Sequence, residues 1–418
     1  MLYTVLLFSF LSALNAAPDN KIHEWRGPDR SGIYNETGLL KTWPEGGPAE
    51  LWVIDNLGNG YGSPTFTDDS FFITGETDTT CTLFCFDLKG TKKWQVSLGR
   101  EWVKSCPGSR SAPTVTGDLL YTGTGMGNLF CINVNTGKII WSKNLSADFG
   151  GVLPLHGHSE APVIDENMIF WTAGGKEHNV VALDRFTGKL IWSDKGFGEP
   201  SAYNQPKIIK HGSLKIFVTF SSYHLMGLDA QTGKLLWSHE QDNYPVDKRG
   251  PGYGDTHCNS VIYEDGSLWY VAGDGNGTVK LDLSPDGKRI TQVWRNPAFD
   301  SYMGGAIKIG NYIYGCGVAK PELKSINSNT GILTDSLRIG TGALIAADNM
   351  LYYYTQKGEM ILVSYNNGNI EKVSSFRISK GTKEHFSHPV INKGILYQRH
   401  GKVLIAYDIK KEIVSYFN

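Results

Sequence analysis

Three polar stretches of this 418-residue chain concentrate side chains able to do chemistry. They are Gly99-Arg-Glu-Trp-Val-Lys-Ser-Cys-Pro-Gly-Ser-Arg110, Leu155-His156-Gly-His158-Ser-Glu160, and Asp247-Lys-Arg249-Gly-Pro-Gly-Tyr253-Gly-Asp255-Thr-His257-Cys-Asn259. Shorter stretches of the same character are Tyr203-Asn204, Asp300-Ser-Tyr302 and Glu384-His385-Phe-Ser-His388. On a strand, His156-x-His158 puts both imidazoles on one face, as a metal pair needs, with a third ligand from His257, Glu160 or Asp255. Two ligands are too few, and the polar lining of a channel accounts for the same residues, so no metal is expected. His257-Cys258 pairs a base with a nucleophile, but no group to orient the base follows. Arg110 and Asp255 suit a salt bridge. The set of Arg110, His156, His158, Glu160, Tyr203, Asn204, Asp255, His257, Asn259, Tyr302, His385 and His388 reads as a small-molecule or peptide site, and no catalytic residue is assigned.

Composition narrows the classes further. Forty Lys+Arg against 41 Asp+Glu give a net charge of -1, without the basic excess that nucleic-acid binding needs. With 40% hydrophobic residues the chain is too apolar for disorder, and 49 glycines are too many for a helical bundle. The glycines fall in strand–turn–strand contexts rather than opening a helix, so no phosphate loop is present, and no Gly-x-Ser-x-Gly elbow occurs.

The polar stretches must be positioned by whatever recurs around them. A short apolar strand, an Asp or Asn, a Gly-containing turn and a Trp appear together repeatedly. The unit reads LFCFDLKGTKKW to Trp94, LFCINVNTGKIIW to Trp141, VVALDRFTGKLIW to Trp192 and LMGLDAQTGKLLW to Trp237. A looser copy ends at Trp294, and degenerate copies surround Asn327, Gly368 and Asp408. Each unit starts on a small residue, often before Pro, as in Ser63-Pro64, Ala112-Pro113 and Ala161-Pro162. From Trp52 the Trp ladder steps by 42, 47, 51, 45 and 57 residues. Short strands at a period near 45 residues predict a propeller with four strands per blade, and eight copies predict eight blades. The fold class is therefore all-β, a single eight-bladed β-propeller of four-stranded antiparallel blades.

In each unit the Asp side chain can accept from amides two residues on, and Gly supplies the positive φ of a tight turn. A large flat Trp once per blade packs neighbouring blades, so Trp52, Trp94, Trp141, Trp192, Trp237 and Trp294 are structural. The segment Ala49–Ile54 carries an outer-strand Trp with no blade before it and is expected to complete the last blade. Lys411 to Phe417 is a further contributor there. Residues 49–418 form the propeller, and residues 18–48 are a turn-rich lead-in expected along the ring surface.

The motif Asp-x-x-Thr-Gly-Lys-x-x-Trp, cleanest at Asp184–Trp192 and Asp229–Trp237, resembles the repeat of the PQQ-binding-like β-propeller superfamily. The lead-in Trp25-Arg-Gly-Pro28 with Leu51-Trp52 looks like the start of exported bacterial members labelled BamB-like. Two activities follow from that resemblance. One branch contains quinoprotein alcohol and glucose dehydrogenases, with pyrroloquinoline quinone and Ca²⁺ on the propeller axis. Many of those alcohol dehydrogenases cover the quinone with a disulfide between adjacent cysteines, and no two cysteines are adjacent here. The BamB-type branch is a scaffold that helps assemble outer-membrane β-barrels. The expectation is a monomeric, non-catalytic binding or scaffold protein with a protein or carbohydrate partner in the cell envelope and no cofactor. A PQQ/Ca²⁺-dependent dehydrogenase is the first alternative. A carbohydrate-binding propeller, with Tyr203, Tyr253 and Tyr302 as handles, is the second.

Met1–Ala17 pairs a short apolar run with small residues and reads as a signal peptide, which implies a periplasmic or secreted protein with no transmembrane segment. No Cys precedes Cys81, so no lipid-anchor cysteine is expected. Cys81, Cys85, Cys106, Cys131, Cys258 and Cys316 are expected as free buried thiols. Strand geometry puts Cys81 and Cys85 about 13 Å apart. Three sequons, at Asn35, Asn144 and Asn276, would matter only in a eukaryotic secretory host and otherwise serve turns.

Overall fold

Apolar strands punctuated by Asx–Gly turns fold into eight antiparallel sheets, each a meander from the axis outwards. The structure, a computed structural model, describes residues 21–241 and 244–411. The expected signal peptide lies outside the described residues, as does the chain end after Lys411.

Blade 1 comprises Thr65–Phe66, Ser70–Thr77, Thr80–Asp87 and Lys92–Arg100. Blades 2 to 6 start at Thr114, Val163, Lys207, Ile262 and Ala306, and blade 7 starts at Gly342. Blade 8 consists of Val390–Asn392, Ile395–His400 and Val403–Asp408, with Glu50–Ile54 as its outermost strand. That outer strand pairs Trp52 with Ala406 and Ile54 with Leu404, so the ring is closed by the N-terminal strand. Among the described residues helix is limited to Leu145–Phe149, capped by the Asn144 side chain, and two single 3₁₀ turns.

The turn chemistry explains the recurring residues. Asp184 Oδ1 accepts from the Phe186 and Thr187 amides and from the Thr187 hydroxyl, and Asp229 and Asn327 repeat the pattern. Glycine is required at the turn for two reasons at once. Gly188 has φ +69, and a Cβ there would lie 2.9 Å from the ring of Trp141 in the preceding blade. Gly137, Gly233 and Gly331 meet Trp94, Trp192 and Trp294 in the same way, and Gly90 meets Trp52 across the closing seam. Each indole N–H then donates to the next blade's turn: Trp94 to Val134, Trp141 to Arg185, Trp192 to Ala230 and Trp294 to Asn329, at 3.0–3.1 Å. Trp237 departs from this pattern. Its indole N–H has no partner, and its ring lies against Gly227 of its own sheet. The turn it would meet, Ser284-Pro-Asp-Gly287, is longer than its counterparts and packs on His211 instead.

The lead-in does not run along the ring surface. Ile22–His23 pairs antiparallel with the innermost strand of blade 2, and Ile33–Tyr34 pairs parallel with that of blade 7. Between them the chain fills the axis. The unpaired inner edges of a propeller offer backbone donors and acceptors, and this segment uses them. Arg30 donates to the carbonyls of Ala161, Pro162 and Pro206 at 2.7–3.1 Å and to Glu24 at 2.8 Å. Arg26 reaches Ala306 and Leu344 on the other side of the ring. Only the later part of the lead-in lies outside, where Leu39 and Trp43 pack into the core between blades 7 and 8.

Candidate functional site

The loop from each outer strand to the next inner strand ends on one face of the ring, where the axial plug stops short of the surface. Loops entering blades 1 to 6 and blade 8 converge there around a cavity of about 470 Å³, within the range of small-molecule sites (roughly 300–1,000 Å³). Trp25, from the plug, is its floor, packed against Ala112 and Ala161 and edge-on to His388 with centroids 5.0 Å apart. Tyr61, Tyr203, Tyr302 and Phe386 supply the walls, with Tyr61 and Phe386 tilted together at 5.6 Å. A second, smaller cavity of about 250 Å³ lies against the plug, lined by Arg26, Tyr34 and the inner strands of blades 1 and 8.

Of the twelve residues singled out by sequence, five line the mouth cavity: Arg110, His156, Tyr203, Tyr302 and His388. The other seven support it from behind or lie deeper. Asn259 is a clip, donating to the carbonyls of Val271 and Ser301 and accepting from the Gly305 amide. Asn204 likewise donates to Thr219 and Phe220. His257 sits 1% exposed with Nε2 near the Gln241 amide and the Ser222 carbonyl, and burial pushes its pKa down to about 4. Asp255 accepts from the Gly252 amide, and burial raises its carboxyl. His385 stacks on His400 at 3.6 Å and contacts the Tyr354 hydroxyl. Burial and the neighbouring His400 and Arg377 lower its pKa to about 4.

Two expected pairings fail for local reasons. His156 and His158 do not share a face, because Gly157 between them takes φ +78 and closes a turn back to Pro154. His156 faces the cavity with Nδ1 3.0 Å from the Ser105 hydroxyl, whereas His158 is buried edge-on against Trp171 and held neutral, its pKa near 4. Arg110 and Asp255 do not form a salt bridge. Arg110 donates instead to the carbonyls of Gly108, Ser105 and Cys106 in its own loop. Glu160 accepts from the Thr172 amide at 3.1 Å, and burial raises its pKa to about 8 despite nearby Arg30.

Sequence reasoning missed Trp25, Tyr61, Asp274, Met303 and Phe386. Their signal was present only in phase: Tyr61 precedes a blade start as Tyr203 does but stands outside the polar stretches, and Phe386 stands within Glu384–His388, where the flanking histidines drew the attention. The six cysteines are free, yet Cys106 is exposed and Cys258 half-buried, and both line the cavity. Burial pushes the Cys258 thiol up to about 12. Two of the three sequons are structural: Asn144 caps the helix, and Asn276, fully buried, donates to Gly273.

Eight meander blades with Trp–Gly seams define an eight-bladed propeller of the PQQ-like repeat class. A family model described as "Outer membrane protein assembly factor BamB" matches residues 79–332, and the chain belongs to that family. An outer membrane protein assembly factor BamB of Moranella endobia (strain PCIT) is 30% identical over 110 residues, 26% of this chain and 27% of that protein. A quinoprotein ethanol dehydrogenase of Pseudomonas aeruginosa is 28% identical over 130 residues, 30% of this chain and 20% of that enzyme. The matches thus span about a quarter or less of those relatives' own lengths. Among solved structures, BamB from Moraxella catarrhalis superposes with TM-score 0.61 at 12% identity, over 87% of this chain and 98% of that one. A europium-containing methanol dehydrogenase reaches TM-score 0.64 at 11% identity, over 89% and 88%. At such identities these likenesses concern the fold.

The dehydrogenase branch implies a quinone and Ca²⁺ on the propeller axis. Ca²⁺ takes 6–8 oxygen ligands. Among the described residues no group of three or more His, Cys, Asp or Glu could hold a metal ion. Asp274, the carboxylate on the cavity wall, accepts from the Thr256 amide. Trp25 and the arginines below it fill the axis. The residues do not fit that pair.

Proposed function

We propose that the protein is an exported, monomeric, non-catalytic binding propeller of the cell envelope that presents its mouth loops to a partner and works without a cofactor. The observation that supports this most is the mouth cavity itself. Seven loops build it, and the N-terminal segment seals the axis beneath it, so the ring receives something rather than conducting it. Membership of the BamB family supports an assembly or scaffold role, and the partner is a protein or glycan of the envelope. No helix among the described residues is long and apolar enough to cross a membrane.

Leu155 and Tyr253, 46% and 60% exposed, stand on loops at this face, whereas Ile332, 65% exposed, stands on the turn before blade 6's outermost strand. A photo-crosslinking residue at Leu155 or Tyr253 in cells should trap a discrete envelope component that the same residue at Ile332 does not. Equal trapping at all three positions, or none, would sink the reading. Dye reduction with alcohols or sugars after adding pyrroloquinoline quinone and Ca²⁺ would replace it with the dehydrogenase reading, which the similarity to quinoprotein ethanol dehydrogenase favours.

A further inference from the structure

The chemistry of the cavity lining is uneven in a way that selects a ligand class. Rings dominate: Trp25 below and Tyr61, Tyr203, Tyr302 and Phe386 around. Charge is scarce. The cavity's cation, Arg110, spends donors on three carbonyls of its own loop, and its carboxylate, Asp274, accepts from a backbone amide. An anionic ligand would find few free donors, and a cation would meet the Arg110 guanidinium. The remaining polar groups set between the rings are the uncharged Ser159, Gln205 and Thr256, with the His156 and His388 rings beside them. His388 contributes the edge of its ring beside Trp25, its Nε2 being shielded from the cavity.

Resting on the reading of the mouth as a binding site, we propose that the ligand is a neutral carbohydrate, with Tyr302 and Phe386 as stacking walls and the Ser159 and Thr256 hydroxyls as hydrogen-bonding groups between them. A pyranose has faces of polarised C–H bonds that meet the negative faces of aromatic rings, and an equator of hydroxyls that both donate and accept. That matches ring walls interleaved with neutral polar side chains. The cavity opens to solvent above Trp25, so a longer glycan enters by its end and continues outwards. Tyr253, chosen from sequence as a third aromatic handle, is not part of the lining, and its place is taken by Tyr61 and Phe386.

The test is titration calorimetry of the full chain with neutral mono- and disaccharides: glucose, galactose, mannose, N-acetylglucosamine, cellobiose and maltose. At least one should bind. Tyr302→Ala and Phe386→Ala should each weaken it about 10- to 100-fold, the effect of removing an aromatic anchor. Tyr302→Phe should stay within about threefold, which separates stacking from misfolding. No binding by any sugar, or binding indifferent to both alanine variants, overturns the proposal. A separate arm uses N-ethylmaleimide, which reaches Cys106 on the cavity wall, whereas the Cys258 thiol stays protonated and slow. If sugars do not bind but the Cys106 adduct abolishes the in-cell crosslink from Leu155, the mouth site stands and the sugar class falls. If the adduct leaves the crosslink intact as well, both fall.

Discussion

Asp184 and Gly188 show how much one turn asks of two residues. The Asp184 carboxylate closes the hairpin through three bonds, all at the solvent-facing edge. Asp184→Ala should lower stability by about 1 kcal/mol, a modest loss because water replaces part of what is removed. Gly188→Ala should cost more, roughly 2–3 kcal/mol, since it combines a left-handed φ with a Cβ pressed on the Trp141 ring. Urea midpoints of the two variants give the order, and a larger loss for Asp184→Ala would show that the seam yields more easily than its geometry implies. Both residues were legible from sequence, because turn chemistry is local and recurs. The orientations of His156 and His158 were not. Their two-residue spacing suggested a shared face, and the intervening glycine's positive φ, which belongs to the Pro154–Gly157 turn, sent them apart.

A place for the Trp52 segment in the last blade was readable, because a Trp without a preceding blade needs a sheet to join and the last blade lacked one, but its register and the share of the two chain ends were not. The plug was not readable. Its paired pieces, Ile22–His23 and Ile33–Tyr34, are two residues each, too short for any periodicity, and their partners lie in blades 2 and 7. Its stability rests instead on buried arginines gripping carbonyls, and Arg30 carries the largest share at one end. Arg30→Met keeps bulk but removes the donors, leaving the carbonyls of Ala161, Pro162 and Pro206 and the Glu24 carboxylate without their partner. A loss of about 3 kcal/mol is expected. Limited proteolysis should then cut within residues 21–34 under conditions that leave the parent chain intact. Resistance equal to the parent would mean that strand pairing alone holds the segment in the ring.

At the scale of the whole ring, burial of ionisable groups behind the mouth loops makes stability depend on pH in two opposed ways. His158 and His257 take up protons at pH 6.5 when unfolded but only near pH 4 when folded. Between those values the unfolded chain holds more protons, so acidification favours unfolding by up to ~1.4 kcal/mol per pH unit for each ring. Glu160 acts with the other sign. Its carboxyl keeps a proton up to about pH 8 in the fold and loses it at 4.5 in the unfolded chain, so its contribution declines as pH rises through that window. Burial pushes Glu101 and Asp255 the same way. These two imidazoles, joined by His385 and His388, whose pKa values burial also lowers, outweigh Glu160 below pH 6.5, and the carboxyls act alone above it, which places the urea midpoint maximum near pH 6–7. Glu160→Gln keeps the contact with the Thr172 amide and cannot ionise. Relative to the parent it should therefore gain stability progressively from pH 4.5 to 8 and show a flatter alkaline limb. Parallel profiles for the two proteins would mean that Glu160 is ionised in the folded ring at neutral pH, with Arg30 rather than burial deciding its charge.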